Sequence, residues 1–533
     1  MARLPRTAVF ISLFLMGAAP MHAQHTYYIS KSTGSDSNAF AQAQSKSTPW
    51  AHLPGMAGCA SNCASYTPVA GDNFIMMGCD VWTGSDLPVV WQWNGSSGSQ
   101  IYVGVDKTWY NTTNCPSGWN RPVWNAAKTV MSGDNYFIQM GSSGTGGNGY
   151  SYLQFDNIEF KQQEFTSGSG GGIVDNLAPN TTNFQLTNSY IHAWDAAADN
   201  CVFFRGPYGA GPPVTAINIV YSNNVIDGSD RTGTSGTTGV CYAFYYNQGG
   251  SHVINNVIRF VVNPGVVASS STGLEIGGNW IDNVLVSVGG SHCNGIETNG
   301  GTPFYIHDNV FSNMNCAGGE TLSVANSAGE VDYVWNNVIY NLNSAQQPGA
   351  EAKSGGTGMF IYFWNNTVVP QSGASCLANG LTSGDTVTVY FQNNDCITTS
   401  WNAVDSFSGF GTGVAANTNN ILQAPSTAAS RGYSSSETYV YSPPASGCTS
   451  SNSKCATVGA GINLTSSWPS GFSTNDTQYG MREQTVNGVV QAVTGRPQNS
   501  RPASGAWDSG AYQYGSTQAS APNPPTGLTA SAQ

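Results

Sequence analysis

Val334-Trp335-Asn336-Asn337-Val338-Ile339 decides the fold: an apolar and an aromatic residue, two asparagines, then a β-branched pair. The phrase returns as Tyr221-Ser-Asn-Asn-Val-Ile226, Val253-Ile-Asn-Asn-Val-Ile258, Ile276-Gly-Gly-Asn-Trp-Ile281 and Ile306-His-Asp-Asn-Val-Phe311. Further on it reads Phe363-Trp-Asn-Asn-Thr-Val368, Phe391-Gln-Asn-Asn-Asp-Cys396 and Asn417-Thr-Asn-Asn-Ile-Leu422, and looser copies stand at 155–158 and 186–191. Subtracting successive second asparagines (224, 256, 279, 309, 337, 366, 394, 420) gives steps of 32, 23, 30, 28, 29, 28 and 26. A period this regular marks an array of stacked units.

Each phrase has the β-branched and aromatic content of a short strand, flanked by Gly, Ser and Asn that tolerate positive φ. A unit of this length cannot close a core alone, so each coil must hydrogen-bond to the next about 4.8 Å away. The expectation is an all-β, single-stranded, right-handed parallel β-helix of about ten or more coils. Asn at one place in successive coils would form a ladder of amide bonds along the axis. In each Val-Ile pair one side chain should face inward and its neighbour outward. A sandwich of hairpins would bring Asn-Gly turns instead of Asn-Asn followed by Val-Ile.

Charged residues make up 9% of the 533, with 64 Gly, against about 25% charged in ordinary globular chains. Residues 1–23 pair a basic start with an apolar run and end Met21-His22-Ala23, which reads as a secretory signal removed before Gln24. The product is expected outside the cytoplasm, extracellular or at the cell surface, with the periplasm as the alternative, and no later stretch is apolar enough to span a membrane. Twelve Cys then imply disulfides. Expected pairs are Cys59 with Cys63, Cys79 with Cys115, Cys201 with Cys241, Cys293 with Cys316 and Cys448 with Cys455. Neither Cys-x-x-Cys pairs nor His at ligand spacing point to zinc.

Tyr27-Tyr28-Ile29-Ser30, Gly34-Ser35-Asp36-Ser37, Pro49-Trp50 and Gly71-Asp72-Asn73-Phe74-Ile75 resemble the opening of secreted bacterial β-helix proteins of the pectin-lyase-like superfamily. The closing run Arg496-Pro497 and Trp507-Asp508-Ser509-Gly510-Ala511-Tyr512-Gln513-Tyr514 is similar to their last coil. The resemblance implies one β-helix domain over 24–515, an N-terminal cap first and a closing coil last. It implies a fold that serves lyases, hydrolases and inert adhesins alike. Residues 516–533, rich in Pro, Ser and Ala, read as a disordered tail.

Charges are so sparse that their clusters mark candidate chemistry. The superfamily binds extended glycans in a groove along one side, and hydrolysis needs two carboxylates about 5–9.5 Å apart. Glu297 and Glu320, at similar places in adjacent coils, are the candidate pair. Elimination on a uronate needs a base and a cation to neutralise the carboxylate; His292 is the candidate base and Arg205 or Arg231 the neutraliser. His292 and Glu297 can reach one groove only if the intervening Cys293-Asn294-Gly295 turns. Asp199, Asp230, Trp194, Tyr208, Tyr245 and Tyr246 are expected to contact sugar. Glu351 and Lys353 lie a further coil on.

A formal charge of −12, from 29 acidic and 17 basic residues, repels nucleic acid and unbridged polyuronates. A neutral polysaccharide, or a polyanion bridged by Ca2+, fits better; no cofactor is required. The expected protein is a secreted monomer that degrades an extracellular polysaccharide by hydrolysis or β-elimination. The alternative is a non-catalytic glycan-binding, cell-surface or structural β-helix.

Overall fold

A computed structural model describes residues 24–132, 135–140, 150–165, 171–176, 181–195, 201–205, 218–232, 241–245, 250–262, 265–285, 294–314, 319–343, 347–400, 402–437, 439–444, 448 and 452–514. The strands of these residues build three long sheets, joined by parallel pairing throughout. The first has thirteen strands from Thr26–Ile29 to Gly413–Thr418, the second ten from Val89–Trp91 to Leu377–Gly380, and the third twelve from Val81–Trp82 to Ile421–Gln423. One coil shows the path: Val331–Trp335 in the first sheet, the Asn336-Asn337 corner, Val338–Tyr340 in the third and Ala350–Lys353 in the second. Consecutive strands of one sheet come from successive coils, which is the parallel β-helix that the repeating phrase requires.

The corner explains the paired asparagines. The first of each pair holds a left-handed conformation, with φ of 57° at Asn336, 51° at Asn365 and 58° at Asn393, a region Asn tolerates better than most residues. The second turns inward. Asn337 donates its backbone N–H and its side-chain amide to Asn366 Oδ1, both at 3.0 Å, and its amide also to Ile306 O at 2.9 Å. The same pattern runs unbroken through Asn224, Asn256, Asn279, Asn309, Asn337, Asn366, Asn394 and Asn420. This is the expected ladder.

Inside, columns of matched residues fill the bore, including Tyr221, Val253, Ile276, Ile306, Val334 and Phe363 from the first sheet and Ile226, Ile258, Ile281 and Ile339 from the third. The Val-Ile pairs alternate as expected, Ile inward and Val outward, yet the outward Val225, Val257 and Val338 are fully buried too.

Their cover is the C-terminal part of the described chain. Among the described residues after Ile421–Gln423 no strand joins the three sheets; residues 452–514 lie along the outside of the asparagine corner. Ile462 exchanges bonds with Asn393, Asn475 accepts from Asn336, and Gln478 donates to Asn255. The antiparallel hairpin Met481–Val486 and Val489–Thr494 reaches as far back as Asn120 and Arg121. The chain then returns, Arg501 meeting Asn336 and Asp508 and Gly510 accepting from Asn365. Trp335 and Trp364 of the coils meet Trp468 and Trp507 of the strap in an aromatic seam. A solenoid's outward apolar row must be shielded from water, and this strap supplies the shield.

Disulfides join Cys59 to Cys63, Cys79 to Cys115 and Cys448 to Cys455, as spacing suggests, and Cys376 to Cys396, which was not expected. The last pair ties the residue just before the second-sheet strand Leu377–Gly380 to the third-sheet strand Asp395–Ile397, and both cysteines are fully buried. Cys201 and Cys241 are register partners on adjacent strands; their side chains, with Cys293 and Cys316, lie outside the described residues, as do 1–23 and the tail from 515. Among the described residues no helix is long and apolar enough to cross a membrane.

Candidate functional site

On the second sheet, parallel register lines up one row of positions. Arg205 matches Tyr245, Tyr245 matches Val267, Val267 matches Glu297, and Glu297 is followed by Ser323, Glu351 and Ala378. Their chain neighbours Ile296, Leu322, Ala350 and Leu377 fill the core, so Glu297, Ser323 and Glu351 face outward. Three residues from the sequence-derived site, Arg205, Tyr245 and Glu297, thus share one row. Glu297 and Glu351, two coils apart, have backbones about 10 Å from each other.

Glu351 is held by a lysine two residues on, where a strand returns to the same face. Lys353 Nζ donates to Glu351 Oε1 at 3.1 Å and to Glu320 Oε2 at 2.8 Å. Burial pushes the Glu351 carboxyl above the ordinary range, and the charge of Glu320 adds to the shift. Burial works against the charged Lys353, but its bonds to Glu320 and Glu351 prevail and raise its pKa. The ammonium therefore stays charged at neutral pH and is no base. Gly380 of the next coil makes room: a Cβ there would fall 2.1 Å from Glu351 Oε1.

Glu320 was expected to face Glu297 as a reacting carboxylate. It is instead 2% exposed, with Oε1 accepting from Asn294 at 2.7 Å and Oε2 from Lys353. It acts as the lysine's anchor. The strand here runs Ile296–Gly301, so Glu297 is its second residue, while His292 and Cys293 fall outside the described residues. Arg231 donates to the backbone carbonyls of Gly228 and Phe260, which fastens a turn after the third sheet. Asp230 accepts from Ala193 N and lies 2.7 Å from His192 Nδ1. Trp194, expected to meet sugar, is 1% exposed and packs edge-on against Phe203 at 4.7 Å; a ring this large gives more by filling the core. Asp199, Tyr208 and Tyr246 lie outside the described residues, and the side chains of Arg205 and Tyr245 are not described. Among the described residues, no three His, Cys, Asp or Glu side chains converge as a metal site.

No protein-family model matches the sequence, and no curated sequence matches it. The fold has relatives among solved structures. Pectate lyase Pel9A superposes with a TM-score of 0.43 at 12% identity, covering 93% of this chain and 98% of its own. A GH136 lacto-N-biosidase from Eubacterium ramulus gives 0.40 at 13%, over 75% of this chain and 68% of its own. The Streptococcus pneumoniae surface protein and adhesin PfbA gives 0.32 at 11%, over 60% and 91%. The fold assignment rests on the three sheets themselves.

The sequence reading left Glu351 and Lys353 outside the site. Their spacing of two was the available signal, because it puts both on one face of a strand. A second polar group, which the spacing of charges does not mark, stands on the first sheet, where His252 pairs in register with Glu275 and His307 stands one coil further.

Proposed function

We propose that the protein hydrolyses glycosidic bonds of an extracellular polysaccharide laid along the second sheet, with Glu351 supplying the proton and Glu297 activating water. The observation that carries this reading is Glu351 itself, an outward carboxyl that burial and the charge of Glu320 shift above its ordinary range, held by Lys353 two coils from a second carboxyl in the same row. Backbones about 10 Å apart are compatible with the ~6.5–9.5 Å carboxyl separation of inverting hydrolases. Lys353 and Glu320 hold Glu351 in place. The backbone of Arg205 stands three coils further along the row.

The test is incubation of the protein with plant, algal and microbial polysaccharides, with and without Ca2+, following reducing ends and the ultraviolet absorbance of unsaturated products. Reducing ends without absorbance are expected; both together mean elimination and end the hydrolytic reading. Glu351→Gln and Glu297→Gln should each lower turnover about 100-fold or more. A second reading, a glycan-binding protein without turnover, is favoured by the ion pair that ties Glu351 and Glu320 to one lysine. Saturable polysaccharide binding with no product would establish it.

A further inference from the structure

A cleft of about 320 Å3 opens on the first sheet, between the coils and the returning strap. Its polar floor is Glu275, His307 and Asp308, with Trp335 beside them and Phe472 and Gln498 of the strap opposite. His307 Nε2 lies 3.0 Å from Glu275 Oε1 and its Nδ1 2.9 Å from Asp308 Oδ2, while the ring stacks on Trp335 at 4.5 Å. His252 Nδ1 stands 2.6 Å from the other oxygen of Glu275. Gly277 admits the imidazole, since a Cβ there would come within 2.6 Å of the His307 ring.

One atom in this arrangement lacks a partner. Asp308 Oδ2 meets His307 and, at 3.4 Å, Gln498 Nε2, but Oδ1 is buried without a hydrogen bond, and the side chain is only 9% exposed. A buried carboxylate oxygen left unmatched costs free energy that a donor from a ligand would recover. Two carboxylates around one bridging imidazole disfavour an anion. An acceptor set beside aromatic and apolar walls suits a sugar hydroxyl and the apolar face of its ring. The volume is at the low end of the ~300–1,000 Å3 of small-molecule sites, enough for a ring or two and too small for a polymer.

We propose that this cleft is a second carbohydrate site, which takes one or two neutral sugar units and receives a hydroxyl donor on Asp308. It lies on a different sheet from Glu297 and Glu351 and does not depend on their chemistry. The tyrosines of neighbouring coils, Tyr305, Tyr333, Tyr362 and Tyr390, stack on one another. Their faces are thereby taken, so the sugar is held in the cleft and not along that ladder.

Calorimetry and tryptophan fluorescence with glucose, galactose, xylose and N-acetylglucosamine, and with glucuronate and galacturonate, test the proposal. At least one neutral sugar should bind saturably, and the uronates more weakly. Asp308→Ala should weaken binding about tenfold or more, and Gln498→Ala, on the strap, gives the same reading if Asp308→Ala does not fold. The proposal falls if no neutral sugar binds, if a uronate binds better, if Ca2+ alone titrates the cleft, or if folded variants bind unchanged.

Discussion

Asn337 uses its side chain fully. It donates to Ile306, Trp335 and Asn366 and accepts the backbone and side-chain N–H of Asn309. Asn337→Ala leaves the backbone N–H and one amide N–H of Asn309 buried without an acceptor, and chemical denaturation should show a loss of about 1–3 kcal/mol. Turnover per folded molecule should survive; lost turnover at unchanged stability would instead make the residue catalytic. Gly380→Ala acts the other way. Its methyl displaces the Glu351 carboxylate, and a shift of about 1 Å in a reacting group costs up to ~100-fold, so kcat should fall while the thermal midpoint holds. At this scale the ladder was legible because Asn needs no partner outside the repeat. The polar cleft was legible only by counting back from it: four residues before successive ladder asparagines stand His252, Glu275 and Tyr305, and two before them Ile254, Gly277 and His307.

Adjacent strands Leu274–Gly277 and Phe304–His307 carry a charge chain whose effect on stability depends on pH. Burial alone would raise the Glu275 carboxyl, yet the bonds from His252 and His307 outweigh it and hold it at about 2, from an ordinary 4.5. Burial likewise opposes a charged His307, but Asp308 and Glu275 lift it from 6.5 to about 9. The Glu275 contribution is present above pH 4.5 and fades as pH falls toward 2; that of His307 is present below 6.5 and fades as pH rises through 9. Thermal midpoints of the parent should therefore decline between pH 6.5 and 9, and His307→Gln should flatten that limb. Equal slopes in both proteins would show that the imidazole carries no such charge. Elements were read correctly where pattern sets them, as in the inward Ile and outward Val. The burial of those valines was not, because the residues that cover Val225 and Val257, Met481 and Val490, stand far along the chain with no periodicity to announce them.

For the whole molecule, a solenoid in which each coil touches only its neighbours frays from its ends. The strap changes this by tying distant coils together: Arg259 meets Glu483 at 3.2 Å, Asn120 and Arg121 reach Gly488 and Val490, and Asn365 bonds to Asp508 and Gly510. Hydrogen exchange should find the coils between Asn120 and Asn419 opening together. A chain ended after residue 451 should lose protection progressively from its C-terminal coils and bind a hydrophobic dye. Identical exchange in both would mean that the strap only covers and does not couple. The repeat predicted the axis of the molecule; the strap, a single long-range contact made once, has no counterpart that a period can disclose.

Synthesis runs from the N-terminus, so the order in which these parts appear has a consequence of its own. The three sheets are complete at Gln423, while the residues that cover their outer row come last. Until residues 452–514 emerge, a nascent β-helix presents Val225, Val257, Trp335 and Trp364 to whatever surrounds it. Such a stripe is what chaperones hold and what neighbouring chains aggregate through. The time between finishing the coils and closing the strap is thus the interval in which this protein most needs protection, and a stalled or prematurely ended chain never leaves it.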